Sequence, residues 1–184
     1  MRFDVTTVAS PEQVREALTD FTDRRLETWH RTLDPKRYEL RDRGENWAVA
    51  REATPGSPFW VVARYDWSDP AVIRLTVQES SYGGTGDGSF RITPTEDGGS
   101  RLHVEWSNPG ARSWQRLLLF LIHRGPVGRI VSRLWTSALN GYAHANPPSS
   151  PEDCATLHAA SLAHRKPMLP EEDSAVLDER AATR

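Results

Sequence analysis

Between residues 127 and 142 the apolar side chains are Val127, Ile130, Val131, Leu134, Trp135, Ala138, Leu139 and Tyr142. They recur in alternating steps of three and one, the spacing of one face of an α-helix, while Arg129, Ser132, Arg133 and Ser137 fall off that face. A helix with such a stripe has to lie against another apolar surface. The chain from about 38 to 108 supplies one, because it reads as consecutive strands. A sheet followed by one long C-terminal helix that it can wrap around narrows the possible architectures sharply.

The preceding chain reads in the same way. Phe3, Val5 and Thr7 alternate with Asp4 and Thr6, as in a short strand. Ser10-Pro11-Glu12-Gln13 carries the signature of a helix start, with Ser10 as N-cap and Gln13 as its capping-box partner. Val14, Ala17, Leu18 and Phe21 then form a buried face. Thr22-Asp23 starts a second short helix through Leu26 and Trp29. Six strands are expected next, over Arg37–Arg43, Trp47–Glu52, Phe59–Trp67, Val72–Ser80, Ser89–Pro94 and around Leu102–Trp106. Short turns separate them, which implies antiparallel neighbours. Asn108-Pro109-Gly110 ends the sheet, and Ser113–His123 reads as an apolar helix that Gly125-Pro126 interrupts. Beyond Ala145 the composition turns polar and rich in proline, which predicts a domain over 1–145 and a flexible tail over 146–184, with a short helix at Asp153–His164. The order is strand, two helices, six strands, long helix. An antiparallel sheet with helices segregated to one face is an α+β arrangement.

Composition excludes several functions. A net charge of −2 gives no electrostatic case for nucleic acid. The longest apolar run, Leu117–Ile122, is far short of a membrane span. The N-terminus Met1-Arg2-Phe3-Asp4 has no signal-peptide run, and Cys154 is the only cysteine, so a soluble, cytoplasmic protein is expected. The six histidines have no zinc-ligand spacing, and no metal or cofactor is expected. Gly83-Gly84-Thr85-Gly86-Asp87-Gly88 lacks the Gly-Lys-Ser/Thr ending of a phosphate loop and precedes a strand, which reads as a loop or bulge at a pocket mouth. There is no Gly-x-Ser-x-Gly nucleophile elbow.

Several local motifs match one superfamily: Trp29 with Leu33-Asp34-Pro35 and Tyr38, Gly44 with Trp47, Tyr65-Asp66-Trp67-Ser68 with Pro70, Gly88-Ser89-Phe90-Arg91-Ile92-Thr93-Pro94, and Gly99-Ser100-Arg101-Leu102 with Val104. With the element order, they make residues 1–145 resemble the START-like, helix-grip superfamily. More narrowly, the chain resembles the SRPBCC family of polyketide cyclase/dehydrase and lipid-transport-like proteins. The resemblance implies a curved antiparallel sheet wrapped around the C-terminal helix, with two short helices after the first strand. It also implies a cavity between sheet and helix for a small hydrophobic molecule. The family includes carriers, aromatase/cyclases and proteins of unknown role, and it carries no shared catalytic motif.

On that frame the inward set is Trp47, Val61, Ala63, Tyr65, Leu75, Val77, Phe90, Val104 and Trp106 from the strands, with Leu134, Trp135 and Ala138 from the helix. These residues either fill a core or line a ligand cavity. Glu79 continues the Ile73-Leu75-Val77 face. If it points inward, Glu79 and Tyr65 form a proton-transfer pair for a cyclase/dehydratase-type reaction; otherwise Glu79 is solvated. Arg51 lies on the Trp47-Val49 face, where it either binds a ligand carboxylate or pairs with an acid at a rim. Three functions follow: a carrier or sensor of a hydrophobic or aromatic ligand, a cyclase/dehydratase-type enzyme, and a module that docks on a second copy or a membrane surface through 114–122.

Overall fold

Ser10 starts the first helix as its sequence requires. Its hydroxyl accepts from the Gln13 N–H at 3.3 Å, and the Gln13 carboxamide oxygen accepts from the Ser10 N–H at 2.9 Å. The computed structural model describes residues 2–107 and 127–147. In chain order the elements are β1 (Arg2–Thr7), α1 (Pro11–Thr19), α2 (Arg24–Thr28), β2 (Glu39–Arg43), β3 (Trp47–Ala53), β4 (Trp60–Asp66), β5 (Ile73–Ser80), β6 (Gly86–Pro94), β7 (Ser100–Ser107) and α3 (Val127–Ala145). This is the expected order. The seven strands form one curved antiparallel sheet in the order β1-β7-β6-β5-β4-β3-β2. The apolar segment 114–122, the Gly125-Pro126 break, the expected helix at 153–164 and the tail beyond Pro147 lie outside the described residues.

One face of the sheet carries the core. Val5, Leu75, Val77, Leu102 and Val104 are fully buried on it and meet Val14, Ala17 and Leu18 of α1 and Leu139 and Tyr142 of α3. Two registers differ from the sequence pattern. In β3 and β4 the directly opposed pairs are Ala48 with Tyr65, Ala50 with Ala63, and Glu52 with Val61. Opposed residues share a face, so the inner face of β3 is Ala48-Ala50-Glu52, and Trp47, Val49 and Arg51 look outward. In β5, Ala63 pairs with Val77 and Val62 with Glu79, which leaves Gln78 as an extra, bulged residue. A bulge reverses the alternation that follows it. Glu79 therefore leaves the Leu75-Val77 face and is exposed, and its carboxylate pairs with Arg41 at 2.9 Å.

The long helix holds more than the core. Ser132, Thr136 and Asn140 form a second, polar row beside the apolar stripe, and this row seals the free edge of β1. The Ser132 hydroxyl donates to the Asp4 carbonyl at 2.7 Å and the Thr136 hydroxyl to that of Thr6 at 3.3 Å. The Asn140 carboxamide oxygen accepts from the Thr7 hydroxyl at 2.7 Å and from the Val8 N–H at 3.1 Å. An edge strand must be covered or blunted. Here helix side chains do it at one edge; the other edge, β2, is short, charged and bulged at Arg41. Turning the polar row toward β1 swings the opposite side of the stripe to solvent. Ile130, expected in the stripe, is 51% exposed.

Replacing Asn140 by Ala leaves the Thr7 hydroxyl and the Val8 N–H without their acceptor. The expected loss is about 1–2 kcal/mol in urea unfolding, with Asn140→Asp, which keeps an acceptor, losing much less.

Candidate functional site

The inner face of the sheet and α3 do not close completely on each other. Between them is a cavity of about 320 Å³. Its walls are chiefly apolar: Phe3 from β1, Val61 from β4, Phe90 from β6, Val104 and Trp106 from β7, and Val131, Leu134 and Trp135 from α3. Trp29, just after α2, closes one side. Its indole N–H donates to the Ala17 carbonyl at 3.1 Å, and its ring lies 4.9 Å from that of Trp135. Trp135 also meets Phe3 edge-on at 5.8 Å and Phe90 at 5.9 Å. The loop between β3 and β4 adds Thr54, Ser57 and Phe59, and the turn after β5 adds Tyr82, whose ring meets Phe59 edge-on. Arg37 anchors that first loop by donating to the Thr54 carbonyl at 3.1 Å and the Ser57 carbonyl at 2.5 Å.

Set into this apolar wall is one charged cluster. Arg25 of α2 is 6% exposed and donates through Nη2 and Nε to Oε1 of Glu52, at 2.8 and 3.0 Å. The Tyr65 hydroxyl donates to Oε2 of the same carboxylate at 2.5 Å. Arg25 Nη1 donates to the Leu18 carbonyl at 3.2 Å, and the guanidinium lies 3.9 Å over the Phe21 ring. All three residues line the cavity. Burial, the largest single influence, pulls the Arg25 guanidinium down, but the Glu52 charge together with Tyr65 and the hydrogen bonds to Glu52 outweighs it, so its pKa is raised and Arg25 stays charged. Burial first, then the Glu52 charge, push the Tyr65 phenol well above its ordinary value. Nearby, burial pushes Tyr38 up to about 12, and its buried hydroxyl has no hydrogen-bond partner among the described residues.

Of the residues expected from sequence, the structure brings Tyr65, Val61, Phe90, Val104, Trp106, Leu134 and Trp135 to the cavity. Ala63, Leu75 and Val77 face inward but are packed solid in the core, and Ala138 packs against that core. Trp47 and Arg51 are corrections, because the β3 register puts them on the outer face. There Arg64 lies 4.1 Å over the Trp47 ring and Arg51 lies 4.5 Å over that of Trp60. Glu79 is the third correction, and with it the Glu79–Tyr65 proton-transfer pair is not assembled. The acid beside Tyr65 is Glu52, which the sequence reading missed together with Arg25. Pairing β3 to β4 with Tyr65 inward would have revealed Glu52; nothing local distinguishes Arg25 from its half-exposed neighbour Arg24. Among the described residues no group of histidine, cysteine and carboxylate side chains is placed to hold a metal, and no helix is long and apolar enough to cross a membrane.

No protein-family model matches this sequence, and no curated protein matches it. Solved structures do match in shape. A protein of Thermus thermophilus superposes with a TM-score of 0.60 at 17% identity, covering 80% of this chain and 99% of its own. An aromatase/cyclase from a Streptomyces species gives 0.56 at 19%, covering 82% and 96%. A START superfamily protein of Mycobacterium smegmatis gives 0.53 at 15%, covering 79% and 97%. The fold is START-like, a helix grip, as the element order and motifs implied.

Two outcomes test the charged cluster. Arg25→Met strands Glu52 without its cation and is expected to cost about 3–5 kcal/mol in urea unfolding, whereas Arg24→Met next door costs about 1 kcal/mol or less. In an alkaline titration followed by phenolate absorbance, Tyr38, Tyr65 and Tyr142 of the folded protein ionise later than free tyrosine, all three raised chiefly by burial. Tyrosines of the unfolded chain lose their protons first, near pH ~10. The contribution of these groups is therefore complete below that pH and is lost as pH rises through their folded values; Tyr65→Phe makes the fall shallower.

Proposed function

We propose that the protein binds a small hydrophobic or aromatic molecule in the cavity between its sheet and α3, as a carrier or sensor. The observation that supports this reading is the cavity itself. At about 320 Å³ it is at the small end of the ~300–1,000 Å³ range of ligand sites, with an apolar aromatic wall and one compact polar cluster, the usual composition of such a site. Wall residues from α2, α3 and five strands would surround a ligand of two or three fused rings.

The cluster favours binding over proton transfer. Arg25 remains charged and both oxygens of Glu52 accept from it or from Tyr65, while Tyr65 keeps its proton well beyond neutral pH. A general acid or base works best with a pKa near the operating pH. Neither Arg25 nor Tyr65 is poised there, and the one acid suggested for such chemistry, Glu79, sits on the opposite face of the sheet.

Titration of the protein with N-phenyl-1-naphthylamine, a neutral fluorescent aromatic, is expected to give saturable binding at one site. Val61→Trp with Leu134→Trp places two indoles in the cavity and is expected to weaken that binding about tenfold or more with the unfolding midpoint nearly retained. Unsaturable binding, or full affinity in the filled variant, counts against the cavity as the site.

A further inference from the structure

The cavity's polar cluster has an uneven account of donors and acceptors, and that account selects among ligands. A guanidinium has five N–H groups. Arg25 spends two on Glu52 Oε1, one on the Leu18 carbonyl and one on the longer contact to the Asp20 carbonyl, at 3.5 Å. Arg25 also hydrogen-bonds the Tyr65 oxygen, which leaves the guanidinium no N–H to spare. The Tyr65 proton is spent on Glu52 Oε2. On the acceptor side, Glu52 Oε2 receives only that one hydrogen, and the Tyr65 oxygen receives one from Arg25. Of the small hydroxyls in the same wall, Thr32 donates to the Trp29 carbonyl and Ser57 accepts from the Phe59 N–H; Ser57 and Thr54 carry protons of their own, but on the loop between β3 and β4 rather than in the cluster. Within the Arg25–Glu52–Tyr65 cluster the donors are spent while Oε2 of Glu52 keeps a free lone pair, so the cluster offers a ligand an acceptor, one end of a buried ion pair already oriented by two partners.

We infer that the ligand of this cavity is a neutral fused-ring or similarly flat apolar molecule with one hydroxyl at its buried end, which donates to the carboxylate of Glu52. The inference rests on the cavity being the binding site and adds the chemical class of its occupant. A phenolic or alcoholic O–H fits the site because it donates to the free lone pair of Oε2. A hydrocarbon leaves that lone pair desolvated and unpaired beneath it, which is costly in an apolar wall. A carboxylate brings its charge against Glu52, whose cation is already committed.

Four probes of one ring system separate these cases on the unaltered protein: 2-naphthol, naphthalene, 2-methoxynaphthalene and 2-naphthoate, compared by competition against N-phenyl-1-naphthylamine at neutral pH. A hydrogen bond to a charged acceptor implies that 2-naphthol binds about tenfold or more tightly than naphthalene and the methyl ether, with 2-naphthoate weakest. A preference of less than about threefold for 2-naphthol, or 2-naphthoate binding most tightly, overturns the hydroxyl assignment and leaves the cavity standing as the site. Failure of all four probes and of the fluorophore to bind overturns the cavity reading itself. Glu52→Gln, where it folds, is expected to hold naphthalene with little change and to lose most of the preference for 2-naphthol; a preference kept intact overturns the role of Glu52. If that variant does not fold, the four probes on the unaltered protein decide the question.

Discussion

The buried ion pair between Arg25 and Glu52 fixes the relation of the helices to the sheet. Moving two charges out of water costs several kcal/mol each, and the arrangement persists only when geometry and further hydrogen bonds offset that cost. Here one guanidinium does three structural jobs. It donates to the Leu18 carbonyl at the end of α1, a helix with no basic residue in its last turn, and so supplies the cation that such an end favours. It neutralises Glu52 at the end of β3. Its flat face covers Phe21 between the two short helices. Tyr65 extends the link to β4. Two helices and two strands thus meet at one carboxylate, and the cavity opens beside it because the groups that hold the elements apart there are polar and must keep their own geometry.

That geometry explains which parts of the structure could be read from the chain and which could not. The capping box at Ser10, the stripe of α3 and the alternation of Ile73, Leu75 and Val77 are local patterns, and the structure contains all three. The faces of β3 are not local. Trp47 and Val49 look like the buried side of a half-covered strand, and Ala48 and Ala50 like its exposed side. Pairing reverses this, because the small residues are needed inside: Ala48 lies opposite Tyr65, and the rings of Phe21, Tyr65 and Phe90 occupy the space above. Outside, Trp47 folds against its own turn, so close that a Cβ on Gly44 would lie 2.4 Å from the indole nitrogen, and Arg64 covers it from above. Glu79 fails as a prediction for a related reason. A bulge is a property of two strands together, and the extra residue Gln78 shows only once β4 is laid beside β5. Arg24 and Arg25 are identical in the chain and opposite in the fold, the first half in water and the second buried, because a five-residue helix has too few turns to display a face.

The long helix shows how a single pattern can conceal two functions. Its apolar stripe was legible, and the stripe divides along its length. Leu139 and Tyr142 are buried in the core, whereas Val131, Leu134 and Trp135 form a wall of the cavity. The polar row of Ser132, Thr136 and Asn140 is equally regular, yet serine and threonine on a helix surface ordinarily face water. It has meaning only beside the free carbonyls of β1. Because the two rows are set side by side, bonding to the edge of β1 also sets the rotation of the helix about its axis, and that rotation determines which side chains reach the cavity. A ligand wall on a helix held only by apolar contacts could roll. Here the hydrogen bonds to Asp4, Thr6, Thr7 and Val8 oppose that motion from one side and the ring contacts of Trp135 with Trp29, Phe3 and Phe90 from the other.

This coupling bears on why the cavity is open at all. Close packing normally leaves few voids larger than a water molecule, and an unfilled space forfeits the contacts its lining would make. The wall contains rings that could collapse inward, but each is held at a fixed distance: Trp29 by its bond to the Ala17 carbonyl, Trp135 by three aromatic neighbours, Tyr65 by Glu52. The space therefore follows from polar and aromatic contacts that specify positions more strongly than apolar contacts alone. A pocket held open in this way is already shaped before anything enters it. If the cavity is the ligand site proposed above, binding would spend little on reorganising the protein, and affinity would depend mainly on how well a ligand fits the ring walls and on what it offers to the acceptor at Glu52.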